Sequence, residues 1–332
     1  MKTIYADNAA TTPLRAPAAE AMRKAADIYG NPSSQHHMGV QAAAALDASR
    51  EAVAAVLGCE RRELYFTSGG SESDNWAIKG VALALSKKGK NHIVSTKIEH
   101  HAVLHALQQL ALSGFRVTLL DVDAQGYVRP EQVAAALTEQ TALVTVMYAN
   151  NEIGTIQPVA EIGGICRERG VLFHTDAVQA VGHLPVDVEA ENIDLLSLAA
   201  HKFGGPKGVG ALYIRKGVYF PNLIDGGGQE RGRRGGTESV LLAAGLAAAL
   251  EHALQSLPEK SRRIAAMRDR LIEGLLRIPH ARLNGGRTPR LPGNASFCFE
   301  GVEGESLLLM LDMHGICASS GSACTSGSLD PS

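Results

Sequence analysis

The chain has 332 residues, 45% of them hydrophobic and 20% charged, with a formal net charge of −2. That length exceeds one ordinary domain and predicts a large domain with a smaller one beside it. The near-neutral charge gives no electrostatic footprint for nucleic acid or a membrane surface, and the 5 cysteines, scattered at 59, 166, 298, 317 and 324, do not form the spacing of a disulfide framework or a zinc ribbon.

In chain order, the opening MKTIYADNAATTPLR lacks an apolar signal core, and no later run is long enough to span a bilayer. A cytoplasmic protein with reduced thiols is expected. Residues 41–58, QAAAALDASREAVAAVLG, predict an amphipathic helix closed by Gly58. ELYFTS is a short strand, SESDNWAIKGVALALSKKG a helix opened by Ser71 or Ser73, HIVST a strand and HHAVLHALQQLALSG a helix. FRVTLLDVD, ALVTVMYA, VLFHTDA, IDLLSLAA and GALYIRKG read as strands, with PVAEIGGICRERG a helix among them. This alternation predicts an α/β fold with a mostly parallel sheet covered on both faces. From Thr237 the pattern changes to two long helices, 237–255 and about 260–277, then a strand in NASFCFEG and a helix in ESLLLMLDMHG. The domain boundaries expected are 15–256 for the large unit and 1–14 with 257–332 for a small α+β unit. Cys59, Cys166, Cys298 and Cys317 fall in or beside apolar patterns and read as inert core residues.

Ligands of open α/β sheets bind at the carboxyl ends of strands, so the residues that follow each strand are the candidates. After ELYF comes TSGGSES, small residues leading into a helix N-terminus suited to an anion such as phosphate, with Ser71 adding a hydroxyl; a plain helix cap is the alternative. Glu99, His100 and His101 follow HIVSTKI, where a metal has no matching ligand spacing and a structural histidine is the bland reading. ANNEIGTIQP is a hydrogen-bonding loop, an Asx turn or a binding element. Asp176 leaves a strongly apolar strand and needs a cationic or hydrogen-bonding partner if buried, with Gln179 one turn on. Lys202 ends a nearly all-apolar strand before a glycine-rich turn, where desolvation makes a nucleophilic amine. A lysine for a Schiff base, an aspartate for a pyridinium nitrogen and a helix N-terminus for a phosphate are together what pyridoxal 5'-phosphate requires.

Nine stretches between residues 5 and 328 carry a resemblance: YADNAATTPLR, YGNPSSQHHMG, FTSGGSESDNWAIKG, EHHAVL, ANNEIGTIQPV, HTDAVQAVGHLPVD, AHKFGGPKGVGALYIRKG, GGGQERGRRGGTES and SSGSACTSGS. The chain resembles the cysteine desulfurases of the NifS/IscS type, pyridoxal phosphate-dependent members of the class-V aminotransferases with the aspartate-aminotransferase fold (fold type I). The resemblance implies that Lys202 carries the cofactor as a Schiff base, Asp176 pairs with its ring nitrogen and His100 stacks on the ring and relays protons. It implies that Gln179 bonds the phenolic oxygen, that Gly70, Ser71 and His201 hold the phosphate, and that Asn151 touches the substrate carboxylate. Thr237 would reach the phosphate of a second subunit, making an obligatory homodimer with a shared site. No metal is implied. Cys324 would take sulfur from L-cysteine as a persulfide and deliver it to an iron–sulfur scaffold or another acceptor protein; its serine and glycine neighbours suit a thiolate that must move and stay exposed.

Two departures accompany the resemblance. Ala199 stands where the family usually has a serine on the phosphate, and family members continue beyond the position of Ser332, with an arginine that clamps the substrate carboxylate, so the C-terminal part of the small domain is expected to be missing. A selenocysteine lyase and a non-catalytic truncated dimer or scaffold are the competing readings; retention of Lys202, Asp176, His100 and Cys324 argues against the second.

Overall fold

The computed structural model describes residues 3–321. In chain order these residues form β1 (Ile4–Tyr5), α1 (Ala16–Ala25), α2 (His37–Leu57), β2 (Leu64–Thr67), α3 (Gly70–Ser86), β3 (His92–Thr96), α4 (His101–Leu112), β4 (Arg116–Leu120), α5 (Pro130–Ala136), β5 (Thr141–Thr145), α6 (Val159–Glu168), β6 (Leu172–Asp176), β7 (Leu195–Ala199) and β8 (Gly210–Ile214). The single turn α7 (Gln229–Gly232), α8 (Val240–Leu254), α9 (Leu257–Leu275), β9 (Ala281–Leu283), β10 (Phe297–Phe299), α10 (Gly304–Met313) and β11 (Ile316–Cys317) complete them.

Seven strands make one sheet in the order β2-β8-β7-β6-β5-β3-β4. β8 runs against both of its neighbours, and every other pairing is parallel. The strands are apolar on both sides because both faces are covered. Val94, Val144 and Leu196 join the core on one face, while their neighbours Ile93, Leu143 and Leu195 join the core on the other. α3 packs on the second face together with α4, and α8 packs on α1 and α2. Since β8 is antiparallel to both β2 and β7, β2 runs the same way as the parallel strands. The carboxyl ends of β2, β3, β5, β6 and β7 therefore meet along one edge of the sheet, and the residues that follow them line it.

The later elements form a looser part. β9 and β10 pair as a two-stranded antiparallel sheet, and β11 pairs in parallel with β1, at the opposite end of the described chain. Along α9 only Ile272 is buried.

Several expectations are corrected. Cys298 is exposed rather than part of the core, its thiol beside the Asn284 amide; Cys59 and Cys317 are half-buried, and Cys166 is buried as expected. The α3 helix opens at Gly70 with Gly69 as its cap, not at a serine. The sequence pattern did not predict α1 and α5, and the strand in NASFCFEG is shortened to three residues.

Candidate active site

Asp176 is the last residue of β6 and is 6% exposed. Its Oδ1 accepts the Val178 N–H at 2.9 Å. Burial pushes its carboxyl group up, against the pull of that hydrogen bond and Lys202. His100 caps α4, and its Nδ1 accepts the Ala102 N–H at 3.1 Å. Burial lowers this imidazole, so it is neutral; with Nδ1 accepting, the proton is assigned to Nε2. Polar atoms of Asp74, His100 and Asp176 lie within 4.8 Å of one another.

Lys202 lies in the 3-10 turn Ala200–Lys202 directly after β7. Its Nζ donates to Ala9 O at 2.6 Å and Ala10 O at 3.0 Å, and Gln179 Nε2 donates to the same Ala9 carbonyl at 3.0 Å. His183 Nε2 lies 3.0 Å from the Lys202 carbonyl and fixes the turn from behind. The ends of β3, β6 and β7 thus bring His100, Asp176, Gln179 and Lys202 together.

The N-terminus of α3 closes the other side. As first residues of a helix, Gly70 and Ser71 direct N–H groups outward that have no intrahelical acceptor. Close approach explains the glycines. A Cβ at Gly70 would stand 2.6 Å from Val178 Cγ2, and one at Gly210 would stand 2.8 Å from the Gly69 Cα. The Gly70 position faces Ala199, whose Cβ lies 3.8 Å from where a Gly70 Cβ would be. His201 Nδ1 meets the Thr11 hydroxyl at 3.1 Å, and burial with Lys202 nearby pushes the imidazole down to about 4.

Asn151 sits in the loop after β5. Its neighbour Asn150 makes the Asx turn, accepting the N–H groups of Glu152 and Ile153 at 2.9 Å each and donating to Ile98 O at 2.9 Å. This ties the loop to the segment that carries His100. Thr237 is exposed, and no hydrogen bond among the described residues joins it to the others. Its loop is anchored by Glu230, which makes a buried ion pair with Arg50 at 2.7 and 2.9 Å. Cys324 lies outside the described residues.

Sequence reasoning missed Ala9, Ala10 and Thr11, which reach the site from the far N-terminus through backbone and hydroxyl groups. It also missed Asp74 and His174, polar residues in a helix and a strand pattern. Glu99, next to His100, has no role assigned by the sequence. It is 6% exposed, accepts the Thr96 hydroxyl at 2.5 Å and the Met147 N–H at 2.9 Å, and so bolts the His100 turn to β5.

These groups fit pyridoxal phosphate. Asp176 is a buried acid whose charge a ring cation would stabilise, Lys202 supplies an amine, and the α3 N-terminus and His201 supply N–H donors for a phosphate. The chain matches the family described as Aminotransferase class-V over residues 4–331. It is 53% identical to the cysteine desulfurase IscS of Clostridium botulinum (strain Hall) over 335 residues, covering 100% of this chain and 84% of the relative. A solved NifS-like protein superposes with a TM-score of 0.92 at 41% identity, covering 95% of this chain and 87% of that one. A structure described as SspA in complex with cysteine superposes at 0.87 and 36% identity, covering 99% and 92%. The chain belongs to the aminotransferase class-V family, and its cofactor is pyridoxal phosphate. Within that family it is a cysteine desulfurase of the NifS/IscS type.

Proposed function

We propose that the chain takes sulfur from L-cysteine, releases L-alanine and leaves the sulfur on Cys324 as a persulfide. The convergence of Asp176, His100 and Lys202 at strand ends along one edge of the sheet carries this reading. Lys202 is the amine that attaches the cofactor, Asp176 pairs with the ring nitrogen, and Gln179 turns its amide toward the phenolic oxygen. Gly70, Ser71 and His201 hold the phosphate, His201 as a neutral donor. When bound, pyridoxal phosphate supplies the electron sink that weakens the C–S bond of the amino acid. His100, neutral with its proton on Nε2, would stack on the ring and would hold or move a proton at that atom. Asn151 contacts the substrate carboxylate. The balance is cysteine plus Cys324–SH to alanine plus Cys324–S–SH: the C–S bond breaks, an S–S bond forms, and carbon keeps the electron pair and takes a proton.

Thr237 is offered to the phosphate of a second copy, so the working unit is a homodimer with a shared site. Its exposure and the anchored loop beneath it support this. The persulfide passes to an iron–sulfur scaffold or another sulfur-acceptor protein in the cytoplasm. The large domain spans 15–256 and the small one 1–14 with 257–332, a division supported by the pairing of β1 with β11.

The test is Cys324→Ala. This variant binds pyridoxal phosphate and changes its visible spectrum on adding cysteine, but forms no persulfide and releases no sulfide under reductant. Wild-type sulfide release from it would move the acceptor role to another thiol.

A further inference from the structure

A second carboxyl group behind Asp176 is left unused by these roles. Asp74, in the first turns of α3, is 1% exposed, and its Oδ1 has no hydrogen-bond partner among the described residues. That oxygen lies 3.6 Å from His174 Nε2. His174, two residues before Asp176 on β6, does not supply a charge. Its Nδ1 meets the Thr145 hydroxyl at 2.8 Å, its Nε2 meets the Ser197 hydroxyl at 3.0 Å, and burial pushes it down to about 3. The other charges that act on Asp74 are acids, Asp176 on β6 and Glu99 before α4. Asp176 itself has the Val178 N–H and Lys202 to favour its charge. Two buried carboxyl groups this close cannot both be ionised.

We propose that Asp74 is a positioning residue for Asp176: its carboxyl group keeps the proton of the pair, so the single negative charge the pair can carry stays on Asp176, facing the cofactor ring. This rests on the assignment of Asp176 to the ring nitrogen. Burial first, then the Asp176 charge, raise the Asp74 carboxyl well above its usual range and outweigh the nearby Ser197 hydroxyl, which acts the other way, in agreement with the geometry. Asp74 thereby turns a mutually repelling pair into an acid beside an anion, with His174 and Ser197 as the polar wall behind them.

The test compares wild type with Asp74→Asn, which keeps the shape of the neutral acid. In the cofactor-free proteins the unfolded chain releases the Asp74 proton near about pH 4 while the fold retains it, so the acid costs stability as pH rises. Asp74→Asn therefore gains melting temperature over wild type progressively as pH rises above about 5. Its pyridoxal phosphate affinity stays within about twofold of wild type, whereas Asp176→Asn loses roughly tenfold or more. A tenfold loss in Asp74→Asn, or a stability difference that does not change with pH, overturns the proposal. An infrared spectrum of cofactor-free Glu99→Gln, which removes the other buried carboxyl group that burial raises, to about 8, reads the retained proton and stands in if the Asp74 variant does not fold; loss of that band in neutral solution is equally fatal. If Asp176→Asn keeps wild-type affinity and spectrum, the ring-nitrogen assignment fails instead, and the cofactor-free comparison still decides where the proton sits.

Discussion

The Lys202 amine is held by the carbonyls of Ala9 and Ala10, two acceptors that a neutral or a charged amine can use. Lys202→Ala is expected to give a colourless protein and to lower cysteine turnover by roughly a thousandfold or more; a visible spectrum like that of wild type would remove Lys202 from its role. His174 yields a pH prediction. Its folded-state value is depressed from 6.5 to about 3 by burial. A depressed base stabilises the fold above its unfolded value, and that contribution is lost as pH falls from 6.5 through about 3. The limiting slope is about 1.4 kcal/mol per pH unit. His174→Gln, which keeps one donor and one acceptor for Thr145 and Ser197, should flatten the acid side of the stability profile in urea titrations, and parallel profiles would show that His174 does not titrate between the two states. Lys202 and Asp176 were legible in the sequence because each terminates an apolar strand. Asp74 was not: a carboxyl group in the polar start of a helix looks solvated until the sheet beneath it is known.

At the scale of elements, the meeting of the α3 N-terminus with the sheet decides the phosphate site. β8 passes so close to Gly69 that Gly210 has no room for a side chain, since a Cβ there would also stand 2.4 Å from the Leu198 carbonyl. Both obstacles are backbone and do not rotate away. Gly210→Ala should cost about 1–3 kcal/mol and weaken cofactor binding, because α3 must lift from the sheet; a thermal melt and a fluorescence titration measure both. Ala199 probes the same junction from the other side. Ala199→Ser returns a hydroxyl beside Gly70 and should tighten pyridoxal phosphate by roughly tenfold, the value of one hydrogen bond to a charged group. Unchanged affinity would place the phosphate elsewhere. The strands of this junction were readable from their apolar runs, whereas α1 was not, because its buried face is only Ala18 and Ala25, too small to set a period beside Pro17.

For the whole molecule, the buried Arg50–Glu230 pair joins α2 to the loop that offers Thr237. Glu230 and Arg231 both adopt left-handed backbone, φ 47° and 59°, a conformation held against its intrinsic cost by the surrounding contacts. Arg50→Met leaves a buried carboxylate unpaired and should cost about 3–5 kcal/mol. It should also weaken dimerisation measured by light scattering, and Glu230→Gln in the same chain should restore part of the stability. A stable wild-type-like dimer from Arg50→Met alone would show that the loop does not depend on the pair. The pairing of Ile4 and Tyr5 with Ile316 and Cys317 has a different bearing. Just beyond these strands Asp7 accepts a hydrogen bond from Ser319, while Ala9, Ala10 and Thr11 bind Lys202 and His201. Chains are synthesised from the N-terminus, and domains generally fold in that order. Here the first strand to leave the ribosome must wait for residues some three hundred positions later before it has a partner. The sheet can assemble during translation, but the groove around Lys202 gains its N-terminal wall late, so a nascent or C-terminally clipped chain should bind the cofactor poorly even when its central sheet is complete.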